Sequence, residues 1–117
     1  MLKALIVDDE IDICYLLSSI LKQQKLQTSY VNTLMDAEKS LFKDSPNLVF
    51  LDNHLPDGRG IDFIQHIKKN HPEIFVIMIT AHDTLEDRSK AYTQGADMFI
   101  AKPFTREVIN NILQKFN

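Results

Sequence analysis

The chain has 117 residues, 44% of them hydrophobic and 25% charged, with a net charge of −3. That is enough for one globular domain with a real core, expected over residues 1–117. With no Lys/Arg run, the domain lacks an electrostatic footprint for direct contact with nucleic acid or an anionic membrane. The apolar runs are strand-length, too short to span a bilayer, and the opening MLKALIVDDE lacks the pattern of a secretory signal. A lone cysteine, Cys14, cannot form an internal disulfide, which points to a reducing cytoplasm.

The pattern alternates strand and helix throughout. LKALIV reads as a buried strand, followed by a helix from Ile11 to Gln24 with an apolar stripe of Ile13, Cys14, Leu17, Ile20 and Leu21. Cys14 belongs to that stripe and is expected to pack in the core. LQTSYV is a weaker second strand. Thr33 with Asp36 resembles a capping box for a helix carrying Leu34, Ala37, Leu41 and Phe42. SPN ends it before LVFL, a third strand apolar at every position. A Pro-Gly loop leads to a helix marked by Ile61, Ile64 and Ile67 and stopped near Pro72. IFVIMI is the fourth strand, and Thr84 with Asp87 caps a helix that ends at Gly95. MFIA is the fifth, and Thr105 opens a last helix with Val108, Ile109, Ile112, Leu113 and Phe116 inward.

Five such units predict an α/β fold: a doubly wound five-stranded parallel sheet with helices on both faces. The expected strand order is the flavodoxin-like 2-1-3-4-5. Sites in such sheets lie beyond the carboxyl ends of the strands. Asp8 and Asp9 follow the first strand, Asp52 the third, Thr80 the fourth and Lys102 the fifth. The second ends in Val31 and Asn32, which carry no comparable chemistry.

Three converging carboxylates repel unless a cation sits among them, and an all-oxygen cluster favours Mg²⁺ or Mn²⁺ over zinc. Mg²⁺ commonly takes one or two carboxylates plus phosphate oxygens. With Lys102 and Thr80 alongside, the crevice suits a phosphoryl group, and one carboxylate becomes the nucleophile of an acyl phosphate. Asp52, on the central strand, is the candidate, leaving Asp8 and Asp9 to hold the metal.

VDDE after the first strand, LDNHLPDGRG at the third, TA at the fourth and KPF at the fifth together resemble the receiver domain of two-component response regulators. The resemblance spans the chain. It implies that Asp52 accepts a phosphoryl group from a histidine kinase or a histidine phosphotransfer protein. Asp9 and Asp52 would ligate Mg²⁺ directly, with the backbone carbonyl of His54, and Asp8 through a bound water. Thr80 and Lys102 would contact the phosphoryl oxygens, and the Lys102–Pro103 bond would be cis. Thr80 and Phe99 would form the switch: the threonine moves toward the phosphoryl group and the aromatic turns inward from the surface. The changed face, made by the fourth helix, fifth strand and fifth helix, would control a downstream output domain or protein. Such a domain is not a turnover enzyme, although it catalyses its own phosphorylation and slow dephosphorylation. Many relatives have Tyr where this chain has Phe99, and GADMF departs from the GADDY of receivers that dimerise through this face.

His54 and His82, two residues beyond Asp52 and Thr80, either flank the path of the hydrolytic water or are plain surface side chains. Asp57 and Asp62 read as turn and helix-start residues, His66 and His71 as solvated. A haloacid dehalogenase type phosphatase is the alternative, since it also combines Asp, Thr or Ser, Lys and Mg²⁺. It resembles this chain less well: those proteins carry Asp-x-Asp after the first strand and a cap domain, whereas Asp52 is followed by Asn53 and His54. A flavodoxin-like cofactor binder fails, because DDEID would repel a phosphate where that fold needs a Gly, Ser and Thr loop.

Overall fold

The computed structural model describes residues 2–116, so Met1 and Asn117 lie outside the described residues. In chain order its elements begin with β1 (Lys3–Val7), α1 (Ile11–Gln23), β2 (Gln27–Val31), α2 (Leu34–Asp44) and β3 (Leu48–Asp52). A hairpin of two-residue strands follows, β4 (His54–Leu55) with β5 (Gly58–Arg59), leading into α3 (Gly60–Asn70). The chain continues through β6 (Phe75–Thr80), α4 (Leu85–Gln94), β7 (Met98–Ala101) and α5 (Arg106–Phe116). The five longer strands form one sheet in the order β2-β1-β3-β6-β7. All its pairings are parallel. This is the expected 2-1-3-4-5 order with the hairpin set aside.

The unbroken apolar runs follow from burial on both faces. Side chains alternate across a strand, so Ala4, Ile6, Leu48, Phe50, Ile77, Ile79 and Ile100 pack against α1 and α5 through Leu17, Ile20, Ile109 and Ile112. Leu5, Val7, Val49, Leu51, Val76, Met78 and Phe99 supply the other core, with Ala37, Leu41, Ile61, Ile64, Ile67 and Ala91 from α2, α3 and α4.

Three of the five helices, α2, α4 and α5, start at threonines. Thr33, Thr84 and Thr105 each accept through Oγ1 from the backbone N–H three residues on, at 3.1, 3.0 and 3.1 Å. At the far end of α4, Gly95 takes φ 114°, a left-handed conformation costly for other residues, while Ala96 N–H donates to Ala91 O at 2.9 Å.

The apolar stripes are narrower than the sequence suggests. Phe42 is 65% exposed and Val108 38%. Each is the sequence neighbour of the residue at the stripe's centre (Leu41, Ile109) and is rotated by about 100° off a face already filled. Asp57 does more than turn the chain: its two carboxylate oxygens accept from Leu34 N and Met35 N at 2.8 and 3.0 Å, capping α2 from the hairpin. Those bonds hold its carboxyl below the ordinary range. His66 and His71 are not simply solvated. His66 Nε2 lies 3.2 Å from Glu38 Oε1, and the His71 ring packs edge-on against Phe42 with Nε2 buried.

Candidate functional site

The strand order sets β1, β3, β6 and β7 side by side, so their carboxyl ends form one edge. Asp8 begins the site just beyond β1 and is 2% exposed. Its Oδ1 accepts from Glu10 N at 2.9 Å, and its backbone carbonyl accepts from Asn32 Nδ2 at 2.8 Å and Cys14 Sγ at 3.3 Å. Asn32, without chemistry of its own, thus ties the end of β2 to the acidic loop. Burial and the nearby Asp8 push the Cys14 thiol up to about 11, as suits a core residue rather than a nucleophile.

Asp52 ends β3 and is also buried. The turn after it is pinned by Asn53, whose Oδ1 accepts from Ile61 N at 3.0 Å and whose carbonyl accepts from Gly60 N at 2.9 Å. This draws the start of α3 so close that a Cβ on Gly60 would lie 2.1 Å from the Asp52 carbonyl oxygen. Glycine is required there by proximity.

Lys102, one residue past β7, reaches across the edge. Its Nζ lies 2.9 Å from Asp8 Oδ2, 3.0 Å from Glu10 Oε1 and 3.3 Å from Asp52 Oδ1. The Lys102–Pro103 bond is cis, matching the expectation. Thr80, paired through its backbone with Ala101, is 1% exposed, and its Oγ1 accepts from His82 N at 3.1 Å. That leaves the threonine hydroxyl hydrogen free to donate elsewhere.

Desolvation sets the electrostatics. Burial raises Asp52, the neighbouring Asp8 adds to it, and Lys102 opposes, leaving its pKa at about 6. Burial works against the Lys102 charge too, but hydrogen bonds to Asp8 and Glu10 and the Asp52 charge outweigh it and hold the ammonium above its ordinary range.

Asp8, Asp9, Glu10 and Asp52 each present a carboxylate oxygen within 4.8 Å of the others. Four carboxylates against one ammonium leave negative charge to neutralise, and an all-oxygen set fits a hard divalent cation such as Mg²⁺. Glu10 is the member of this cluster that the sequence does not mark as a site residue. The third acid of VDDE was its only signal, and nothing in the spacing says that this side chain turns back to Lys102.

His54 lies on the hairpin with an exposed side chain, its ring 4.9 Å from that of His82. Phe99 differs from an aromatic waiting at the surface. It is 5% exposed, already inside, with the Arg88 guanidinium 4.9 Å from its ring centre. Strand alternation accounts for this, since Phe99 follows the parity of the α4-facing core.

The response regulator receiver domain family matches residues 4–114. The chain is 42% identical over 101 residues to the response regulator protein PilR of Pseudomonas aeruginosa, covering 86% of this chain and 23% of that protein. It is 35% identical over 113 residues to the phosphate regulon transcriptional regulatory protein PhoB of Escherichia coli, covering 94% and 49%. It thus spans less than half the length of these curated relatives. Among solved structures, the beryllofluoride-activated NtrC4 receiver domain dimer superposes with a TM-score of 0.93 at 36% identity, covering 98% of this chain and 95% of that one. The receiver domain of NtrX from Brucella abortus gives 0.89 at 34%, covering 96% and 95%. No helix among the described residues is long and apolar enough to cross a membrane. Nothing in these likenesses favours the phosphatase alternative, and the chain belongs to the response regulator receiver domains of two-component signalling.

Proposed function

We propose that Asp52 is the phosphoacceptor of a phosphorylation-dependent switch, charged by a histidine kinase or a histidine phosphotransfer protein. The observation that carries this is the Lys102 ammonium shared among Asp8, Glu10 and Asp52, one strand away from the buried Thr80. With a pKa of about 6, Asp52 is mostly ionised at neutral pH and able to attack phosphorus. The Asp52 oxygen forms the new O–P bond as the N–P bond of a phosphohistidine breaks, and the imidazole leaves with a proton. Lys102 transfers its contact to the incoming phosphoryl oxygens, and Thr80 donates its hydroxyl to another. Asp9 and Asp52, the His54 carbonyl, and Asp8 through water would hold Mg²⁺ or Mn²⁺. When bound, that ion neutralises phosphoryl charge and fixes its orientation.

The same groups serve the domain's own slow dephosphorylation, in which water attacks phosphorus and the Asp52 carboxylate leaves. Thr80 and Phe99 carry the change to the α4, β7 and α5 face, which addresses an output domain or protein in the cytoplasm. Transcriptional regulation is what the name of PhoB states of that relative. Acetyl phosphate with Mg²⁺ should add one phosphoryl group to the intact protein by mass spectrometry. Chelating the metal, or Asp52→Asn, should abolish it. Full labelling of the Asp52→Asn protein would refute the assignment.

A further inference from the structure

We propose that His54 and His82 form a second metal site, separate from the acidic one, for an imidazole-preferring divalent ion of the zinc, nickel and copper class. Both side chains are exposed, and they come from different segments: His54 from the hairpin after β3, His82 from the loop after β6. Their ring centres are 4.9 Å apart with planes at 72°. A metal–imidazole bond of about 2.0–2.1 Å puts the ring centres of two ligands on one ion roughly 4.5–5.2 Å apart, for cis-octahedral to tetrahedral angles. The observed spacing of 4.9 Å falls within that range, as two ligands of one ion require.

The backbone favours the arrangement. His82 N–H is held by Thr80 Oγ1 at 3.1 Å, and His54 pairs with Arg59 in the hairpin, so both ligands sit on ordered chain. Donor chemistry separates the two sites. Carboxylates select a hard ion such as Mg²⁺, whereas two imidazoles select the borderline ions, with waters completing the coordination. An ion here links the two segments that follow Asp52 and Thr80 and stiffens the mouth of the acidic crevice. This holds whether or not Asp52 accepts a phosphoryl group.

The test is Zn²⁺ titration by calorimetry on the 117-residue chain in a large excess of Mg²⁺, which keeps the acidic site filled. One equivalent should bind, weakened at least tenfold by His54→Ala and equally by His82→Ala. His66→Ala, which disrupts the His66–Glu38 pair, and Asp9→Ala should each change it less than threefold. On the unsubstituted protein, Zn²⁺ should shift the imidazole nitrogen resonances of His54 and His82 and slow amide exchange in residues 81–84. Zinc binding that survives both His54→Ala and His82→Ala, or that is lost with Asp9→Ala or His66→Ala, would overturn the proposal. So would the absence of zinc binding, or unmoved His54 and His82 resonances at saturation.

Discussion

Asp52 carries its charge at the end of a strand buried on both faces, beside Asp8 and with one ammonium shared among several carboxylates. A carboxyl raised from an ordinary 3.8 to about 6 holds its proton more tightly folded than unfolded. The stability that proton brings is complete below about pH 4 and is lost as pH rises through about 6. The full effect is at most about 3 kcal/mol. In metal-free buffer Asp52→Asn should therefore be more stable than the native chain by about 1–3 kcal/mol at neutral pH. The gap should close toward pH 4, as read by urea unfolding across pH. A constant difference across that range would mean that Asp52 ionisation is not the source. Gly60 gives the complementary case. Placing a methyl 2.1 Å from the Asp52 carbonyl oxygen forces backbone apart, so Gly60→Ala should cost about 2 kcal/mol or more in the same assay.

Among the helices, α4 is held most lightly. Ala91 is its only buried residue, whereas α1 buries Cys14, Leu17, Ser18, Ile20 and Leu21. Segments with few buried apolar contacts open at low free energy, so amides of residues 85–94 should exchange faster than those of α1 or β3. Thr84→Ala removes the cap on Asp87 N, costing about 1 kcal/mol. It should speed exchange in α4 further and leave β3 unchanged. The five strands and five helices were legible in the sequence because burial on both faces leaves unbroken apolar runs, and threonines and a glycine punctuate the helices. Contacts between distant segments were not. Nothing local to Asp57 says that it caps α2, two-residue strands are too short for a period, and the exposure of Phe42 depends on how much of α2 its neighbours cover. The site residues were legible as strand ends. Glu10 was not, because its reach to Lys102 spans 92 positions.

At the scale of the whole molecule, the sheet links the acidic edge to the α4–β7–α5 face. Thr80 stands at the edge, Phe99 lies within the α4-side core on the adjacent strand, and Arg88 covers its ring. On the proposed switch, a phosphoryl group on Asp52 would add about −1.5 to −2 charge beside Thr80, draw the hydroxyl toward it and alter the space around Phe99. A typical coupling of about 1–3 kcal/mol would bias two packings of this face. Beryllofluoride, as a phosphoryl mimic, should shift the amide resonances of residues 84–104 in the native chain and much less in Thr80→Ala. Equal shifts in both would exclude the threonine route and leave direct loop movement.

The role of Asp52 itself is tested most directly by locating the phosphoryl group. After incubation with acetyl phosphate and Mg²⁺, borohydride reduction converts an aspartyl phosphate to homoserine, which peptide mapping assigns to a single residue. Homoserine should appear at position 52 and at neither Asp8 nor Asp9. Reduction at either of those instead, with Asp52 intact, would contradict it.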